Sequence, residues 1–424
     1  MLVYIILYLA GVLFSRVGQF VLSGIVLIIA GMYLYIREYK ISRCFLNLRG
    51  LFSLGFVGGQ GVSALKLSYL GTQWTYLTWA SLFAAFAAFY LTFGTLQKKR
   101  GNHYVIQEGW SIGKNNENRL FSAILLLTGI SVLFFAIEAA VLGFIPLFLR
   151  GVPHAYSVFH ISGLHYFTVS CVLVPAFGVI FFLEYQEVVF WKKGVVLGAV
   201  FLSLMVPVLC VSRFQFILGV MLGVITLLVM KRENLVPYMF VPVLVLLVGV
   251  YVLLSIARSH NVEYLNSIFE MKARFPIYFS QPYIYIANNY DNFNVMVEEL
   301  EHFAYGLKGL FPLWALTGMK FLFPSLVNFP LYVTKTELTT VTLFYDAYYD
   351  FGIFGVMAFS ALLGGVSYFF EGWIRRTRNY CVYVLYAQMA MYLGLAFFTT
   401  WFSNPATWFY FLITGVITWF CSYD

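Results

Sequence analysis

Apolar stretches of membrane-spanning length recur along almost the whole chain, and that recurrence limits its fold more than any other feature. A helix needs roughly 20 predominantly apolar residues to cross a bilayer. About twelve such segments are present, with cores near 2–15, 17–36, 51–70, 76–94, 120–142, 166–184, 194–212, 214–230, 235–257, 352–372, 379–399 and 407–421. Only 10% of the 424 residues are charged, against about 25% in soluble domains. Backbone polar groups inside lipid must be satisfied within the segment, so a chain of this kind builds a helical bundle. The predicted class is an all-α polytopic membrane protein with a single membrane domain over 1–424. The third span carries Gly58, Gly59, Gly61 and Lys66, which predict a broken or closely packed helix.

Lysine and arginine placement orients the spans. Sixteen of the 26 lie in one alternating set of loops, at positions such as Arg37, Arg49, Lys98, Lys192, Lys231 and Arg375. The other ten lie on the opposite side, five of them beyond Arg258 in one long loop, where the bias counts least. The first side is therefore expected to be cytoplasmic, with both termini there. The chain starts apolar without a basic leader region, so a retained first span is expected. The net charge of +8 sits in these short loops and is no signal for nucleic acid. Aromatic residues make up 20%, with 45 Phe and 31 Tyr, as interfacial belts and sugar- or headgroup-facing surfaces require.

Three segments face outward in this topology: 143–165, rich in Pro, Gly and His; a tight hairpin tip at 212–214; and a large loop over 258–340. That loop is too apolar and aromatic to be disordered. Ser280 followed by Pro282 marks a helix start, and an amphipathic helix is predicted from there to about Leu307. The expected shape is a folded, half-buried lid over the membrane mouth.

Candidate chemistry gathers on the outward side. Arg213 and Arg258 end apolar spans at the same expected depth, where a guanidinium is costly unless paired, hydrated or facing a cavity. The guanidinium fork matches phosphate oxygens two at a time, so this pair suits a diphosphate. Arg150 and Arg274 are further candidates to bind substrate. His154, His160 and His165 share one short segment, and His260 follows Arg258 by two residues; none has zinc-site spacing. Asp291 and Asn289 lie in IANNYDNFN, a mixture of acceptors, amide donors and flat rings suited to sugar hydroxyls. Asp346 and Asp350, with Tyr345 beside them, lie four apart at the mouth of the tenth span and are candidates for a base acting on a hydroxyl. Glu138, inside the fifth span, needs a partner such as an arginine or Lys66. The five cysteines form no CxxC pair, so structural thiols are expected, with no metal and no cofactor. No Walker loop, GxSxG or dinucleotide fingerprint is present, so any reaction must draw on an activated donor already in the membrane.

In GFIPLF, SRFQF, IARSH, YIANNYDNF and TLFYDAYYDFGIFG the chain resembles the bacterial O-antigen or oligosaccharide repeat-unit polymerases, the Wzy class, related to the O-antigen ligases. The resemblance implies a GT-C-like glycosyltransferase with about 12 transmembrane helices, a large structured periplasmic loop between spans 9 and 10, and a place in the bacterial inner membrane. It implies undecaprenyl-diphosphate-linked glycans as donor and acceptor, with membrane lipid, a chain-length regulator and a flippase as partners. Arg213 and Arg258 match the ligase arginines that hold the diphosphate. Gly352 and Gly355 supply the ligase-type turn, but Val341 and Thr342 stand where the ligase has its His-Asn pair. That absence argues against a ligase. The concentration of polar residues in one outer loop, with no internal repeat, argues against a flippase or transporter.

Overall fold

The computed structural model describes residues 1–100, 114–149, 155–231, 262–377 and 379–422. The described elements are helices, and the one strand-like pairing among them is a bridge between Ser68 and Met271. Eight helices are long and apolar enough to cross a membrane: Phe20–Ser42, Tyr76–Lys99, Glu117–Leu142, His165–Glu184, Phe190–Leu209, Arg213–Met230, Tyr345–Ile374 and Pro405–Ser422. The chain is a multi-pass membrane protein. Of the twelve expected spans, the first and eleventh form shorter apolar helices, Leu2–Arg16 and Val382–Gly394. The ninth, 235–257, lies outside the described residues.

The third span is both broken and close-packed. It runs as Leu48–Phe52, a π-turn at Ser53–Val57, and Gly58–Ala64. It packs against Phe20–Ser42 so tightly that a Cβ on Gly61 would stand 2.6 Å from the Ile28 nitrogen. Within the π-turn, the Phe56 carbonyl accepts from the Tyr290 hydroxyl at 2.7 Å. This is how a membrane helix tolerates a break.

The chain folds into two compact units, each made of discontinuous segments. The first takes Met1–Tyr104, Asn261–Gly372 and Tyr392–Thr407; the second takes Val105–His260, Trp373–Met391 and Trp408–Asp424. The core of the first is aromatic. Phe52 and Phe89 have ring centroids 4.1 Å apart, and Phe56 meets Phe344 edge-on at 4.9 Å. Many of the 45 phenylalanines therefore fill helix interfaces.

The large loop departs from the expected lid. Its main helix is Ile277–Glu299, starting three residues before Ser280 and ending well short of Leu307. Between Ser280 and Met296 it is buried on nearly all sides, so it is an interior element of the first unit. The polar residues of this helix divide. Glu298 and Glu299 are exposed, whereas Asn288, Asn289, Asp291, Asn292 and Asn294 are buried.

Candidate functional site

The buried amides are spent on holding the protein together. The Asn289 amide nitrogen donates to the carbonyls of Tyr285 and Phe397, both at 2.7 Å, and its oxygen accepts from the Thr340 hydroxyl at 2.6 Å. Asn292 donates to the carbonyls of Leu338 and Thr340 and accepts from the Thr334 amide. Asn294 accepts from the Thr75 amide and the Thr78 hydroxyl. These contacts pin irregular chain at 334–340 and 397–398, and the start of the helix that opens at Tyr76, to one helix. Buried polar groups need partners, and here backbone supplies them. Sequence composition could suggest sugar binding, but the geometry gives Asn289 a structural task.

Asp291 is likewise internal. It pairs with Lys66 and accepts from the Trp74 indole nitrogen at 2.8 Å. The Lys66 ammonium also sits 4.4 Å from the Trp74 ring centroid. Burial raises the Asp291 pKa, and the Lys66 charge and hydrogen bond oppose that rise. Lys66, expected as a partner for Glu138, is thus committed to Asp291. Tyr345 is also held: its hydroxyl donates to the Tyr332 carbonyl at 3.0 Å and accepts from the Tyr332 amide at 2.9 Å.

Asp346 and Asp350 separate in role because the helix breaks just beyond them. Phe351 and Gly352 leave helical geometry, Gly352 with φ +60°. A positive φ costs glycine little and other residues much. The Tyr349 and Asp350 carbonyls at the break accept from the amides of Ala304 and Tyr305, at 3.0 and 3.2 Å. The Asp350 carboxylate accepts from the amides of Lys308 and Gly309, at 3.1 and 2.7 Å. Asp350 therefore fastens the 304–310 turn. Asp346 instead borders a cavity of about 460 Å³, 3.4 Å from the Lys308 ammonium. That volume falls within the roughly 300–1,000 Å³ of small-ligand sites. The cavity wall carries Thr339, Thr399, Thr400, Ser403 and Asn404, with the rings of Phe311, Phe329 and Tyr345. Lys308 was not singled out from the sequence: it stands 38 residues before its partner, beyond any local spacing rule.

The second unit holds its own polar centre. Arg213 is buried and begins the helix Arg213–Lys231 after the short turn that closes Phe190–Leu209. The turn falls at 210–212, with Val211 at φ +53°, two residues before the tip expected at 212–214, so Arg213 opens the following helix instead of ending a span. A cation at the positive end of a helix dipole is a combination that favours an anion nearby. Glu138, fully buried one turn from the end of Lys114–Leu142, accepts from the Ile161 amide at 2.8 Å, the Thr168 hydroxyl at 2.7 Å and His165 Nδ1 at 3.1 Å. Its partner is thus His165, from the outward segment.

Arg274 is exposed. Arg150, His154, Arg258 and His260 lie outside the described residues. Among the described residues no group of three metal-ligating side chains occurs, and the five cysteines are free thiols. No family model matches the chain, and no curated protein or solved structure is detectably similar to it.

Proposed function

We propose that this chain is a GT-C-type polymerase that joins undecaprenyl-diphosphate-linked oligosaccharide repeat units into a surface polysaccharide at the periplasmic face of a bacterial inner membrane. The twelve-span arrangement with cytoplasmic termini, and the chain-length regulator and flippase as partners, belong to the same reading. The observation that carries it is the Asp346–Lys308 cavity. It combines a carboxylate, an ammonium, several hydroxyls and flat rings, the set that an oligosaccharide needs.

In this reading the acceptor sugar binds there and gives its hydroxyl proton to Asp346. A new bond forms from that oxygen to the anomeric carbon of the donor. The bond from that carbon to the lipid diphosphate breaks, and the diphosphate leaves with the electron pair. Arg213, with Arg258 as its sequence-predicted companion, matches the charge growing on the phosphate oxygens, where fixed charge lowers a barrier most. His165, steadied by Glu138, is a further candidate contact to the lipid-linked substrate, and Arg274 remains a candidate from the sequence alone. Asp350 and Asn289 support the fold instead of touching sugar.

A polysaccharide gel from a strain lacking the chain tests this. Single repeats attached to the final acceptor fit a polymerase, none fits a flippase, and unattached polymer fits a ligase. Arg213→Ala should abolish polymer while the protein remains in the membrane. Arg213→Lys should restore little, because a point charge lacks the two-pronged geometry. Wild-type chain lengths from Arg213→Ala would remove the clamp from the mechanism.

A further inference from the structure

Within the first unit, the ends of Phe20–Ser42 and Tyr76–Arg100 and the start of Leu48–Phe52 enclose a second cavity, of about 550 Å³. It lies on the face that the lysine and arginine bias assigns to the cytoplasm. Three cationic side chains line it, Arg37, Arg49 and Lys98, and no carboxylate is among its lining residues.

The charges there are unevenly matched. Arg49 is buried, stacks 3.5 Å from the Tyr90 ring centroid, and bonds the buried Glu38 at 3.2 Å and the Tyr90 carbonyl at 3.0 Å. The Tyr90 hydroxyl occupies the other Glu38 oxygen at 2.6 Å. Glu38 is therefore used by Arg49 and Tyr90, and the buried Glu371 carboxylate accepts from the Leu48 amide at 2.9 Å. Among the described residues, Arg37 and Lys98 have no carboxylate within ion-pair distance, and the buried Arg49 Nε has no hydrogen-bond partner. Two unmatched cations and an unused buried donor thus border one concave space.

The same wall is partly apolar. Ile41 and Leu91 line the cavity and are 42% and 54% exposed, as lipid-facing side chains are in a bundle. A free anion would satisfy the cations and leave this apolar edge unused. An amphiphile with an anionic head uses both. We propose that this cavity binds an anionic phospholipid, its phosphate held by Arg37 and Lys98 and its acyl chains lying along Ile41 and Leu91. Basic side chains at a membrane surface each contribute to attraction for anionic lipid, and a concave site concentrates that field on one headgroup.

Native mass spectrometry of the full chain tests this, with phosphatidylglycerol, phosphatidylcholine or inorganic phosphate added to the detergent-solubilised protein. The expected result is one retained phosphatidylglycerol, bound about 30-fold more weakly after Arg37→Gln with Lys98→Gln, as removal of two surface charges predicts. Arg37→Lys with Lys98→Arg should retain the lipid, which separates loss of charge from loss of fold. Arg375→Gln with Arg376→Gln, which removes two charges elsewhere on the same expected face, should retain it too. Equal weakening by that control overturns the cavity site in favour of general surface charge. Equal retention of phosphatidylcholine, or competition by inorganic phosphate at matched concentration, overturns the anionic-lipid assignment.

Discussion

Replacing Asn292 by alanine should loosen the structure at a distance from the substitution itself. Its side chain is fully buried and within hydrogen-bond distance of five groups. The Thr334 hydroxyl has one hydrogen and lies closer to Asn288, at 2.8 Å, than to Asn292, at 3.0 Å, so four bonds belong to Asn292. Alanine leaves the Thr334 amide, the Leu338 and Thr340 carbonyls and the Asn288 amide short of a partner. At about 1 kcal/mol for each, the loss is about 4 kcal/mol. At roughly 2 °C per kcal/mol for a large domain, the melting temperature should fall by about 8 °C. The assay is tryptophan fluorescence during heating in detergent, joined to limited trypsin digestion. Lys335 lies inside the tethered segment, so cleavage there should accelerate. Asn292→Asp should do no better, because a carboxylate would face two carbonyls. Glu299→Ala, at an exposed position of the same helix, is the control. A fall below about 2 °C for Asn292→Ala, with unchanged cleavage at Lys335, would refute the view that this amide holds the loop.

Lys66→Met alone should cost about 3–5 kcal/mol by stranding the Asp291 charge, whereas Lys66→Met with Asp291→Leu should cost less than the sum of the single changes. Strict additivity in the same melting assay would show that the two side chains are not coupled. Asp350→Asn turns an amide NH₂ toward a backbone N–H and should cost about 2 kcal/mol, with faster trypsin cleavage after Lys308; unchanged cleavage would deny its role as a fastener. Asp346→Asn and Lys308→Met should leave melting nearly unchanged and remove polymer, read on a polysaccharide gel. Polymer of normal length from either variant would take the cavity out of the reaction.

The membrane bundle was legible because apolar length is a local property. So was the break near Gly58, marked by glycines whose packing needs are distinctive, and a turn beside Arg213, though displaced by two residues; the turn at Gly352 was expected from the resemblance alone. Partnerships across the chain were not. Glu138 finds His165, Lys66 finds Asp291 and Asp346 finds Lys308 at separations of 27, 225 and 38 residues. No helical or strand period carries that information. The asparagine-rich segment misled for a related reason. Asn and Asp offer the same donors and acceptors to a sugar as to a stray backbone carbonyl, and only the fold decides which they meet. Arg49 shows the converse: counted among loop cations, it forms a buried group with Glu38 and Tyr90. Composition can orient a span, but it cannot say which of its charges are already matched.

The most direct measurement gives purified protein in lipid nanodiscs a supply of undecaprenyl-diphosphate-linked repeat units, with no nucleotide sugar, and follows glycan length by electrophoresis. A ladder of longer lipid-linked chains, with release of undecaprenyl diphosphate, is the predicted outcome. Intact single repeats after prolonged incubation with folded protein would contradict the proposed transferase activity.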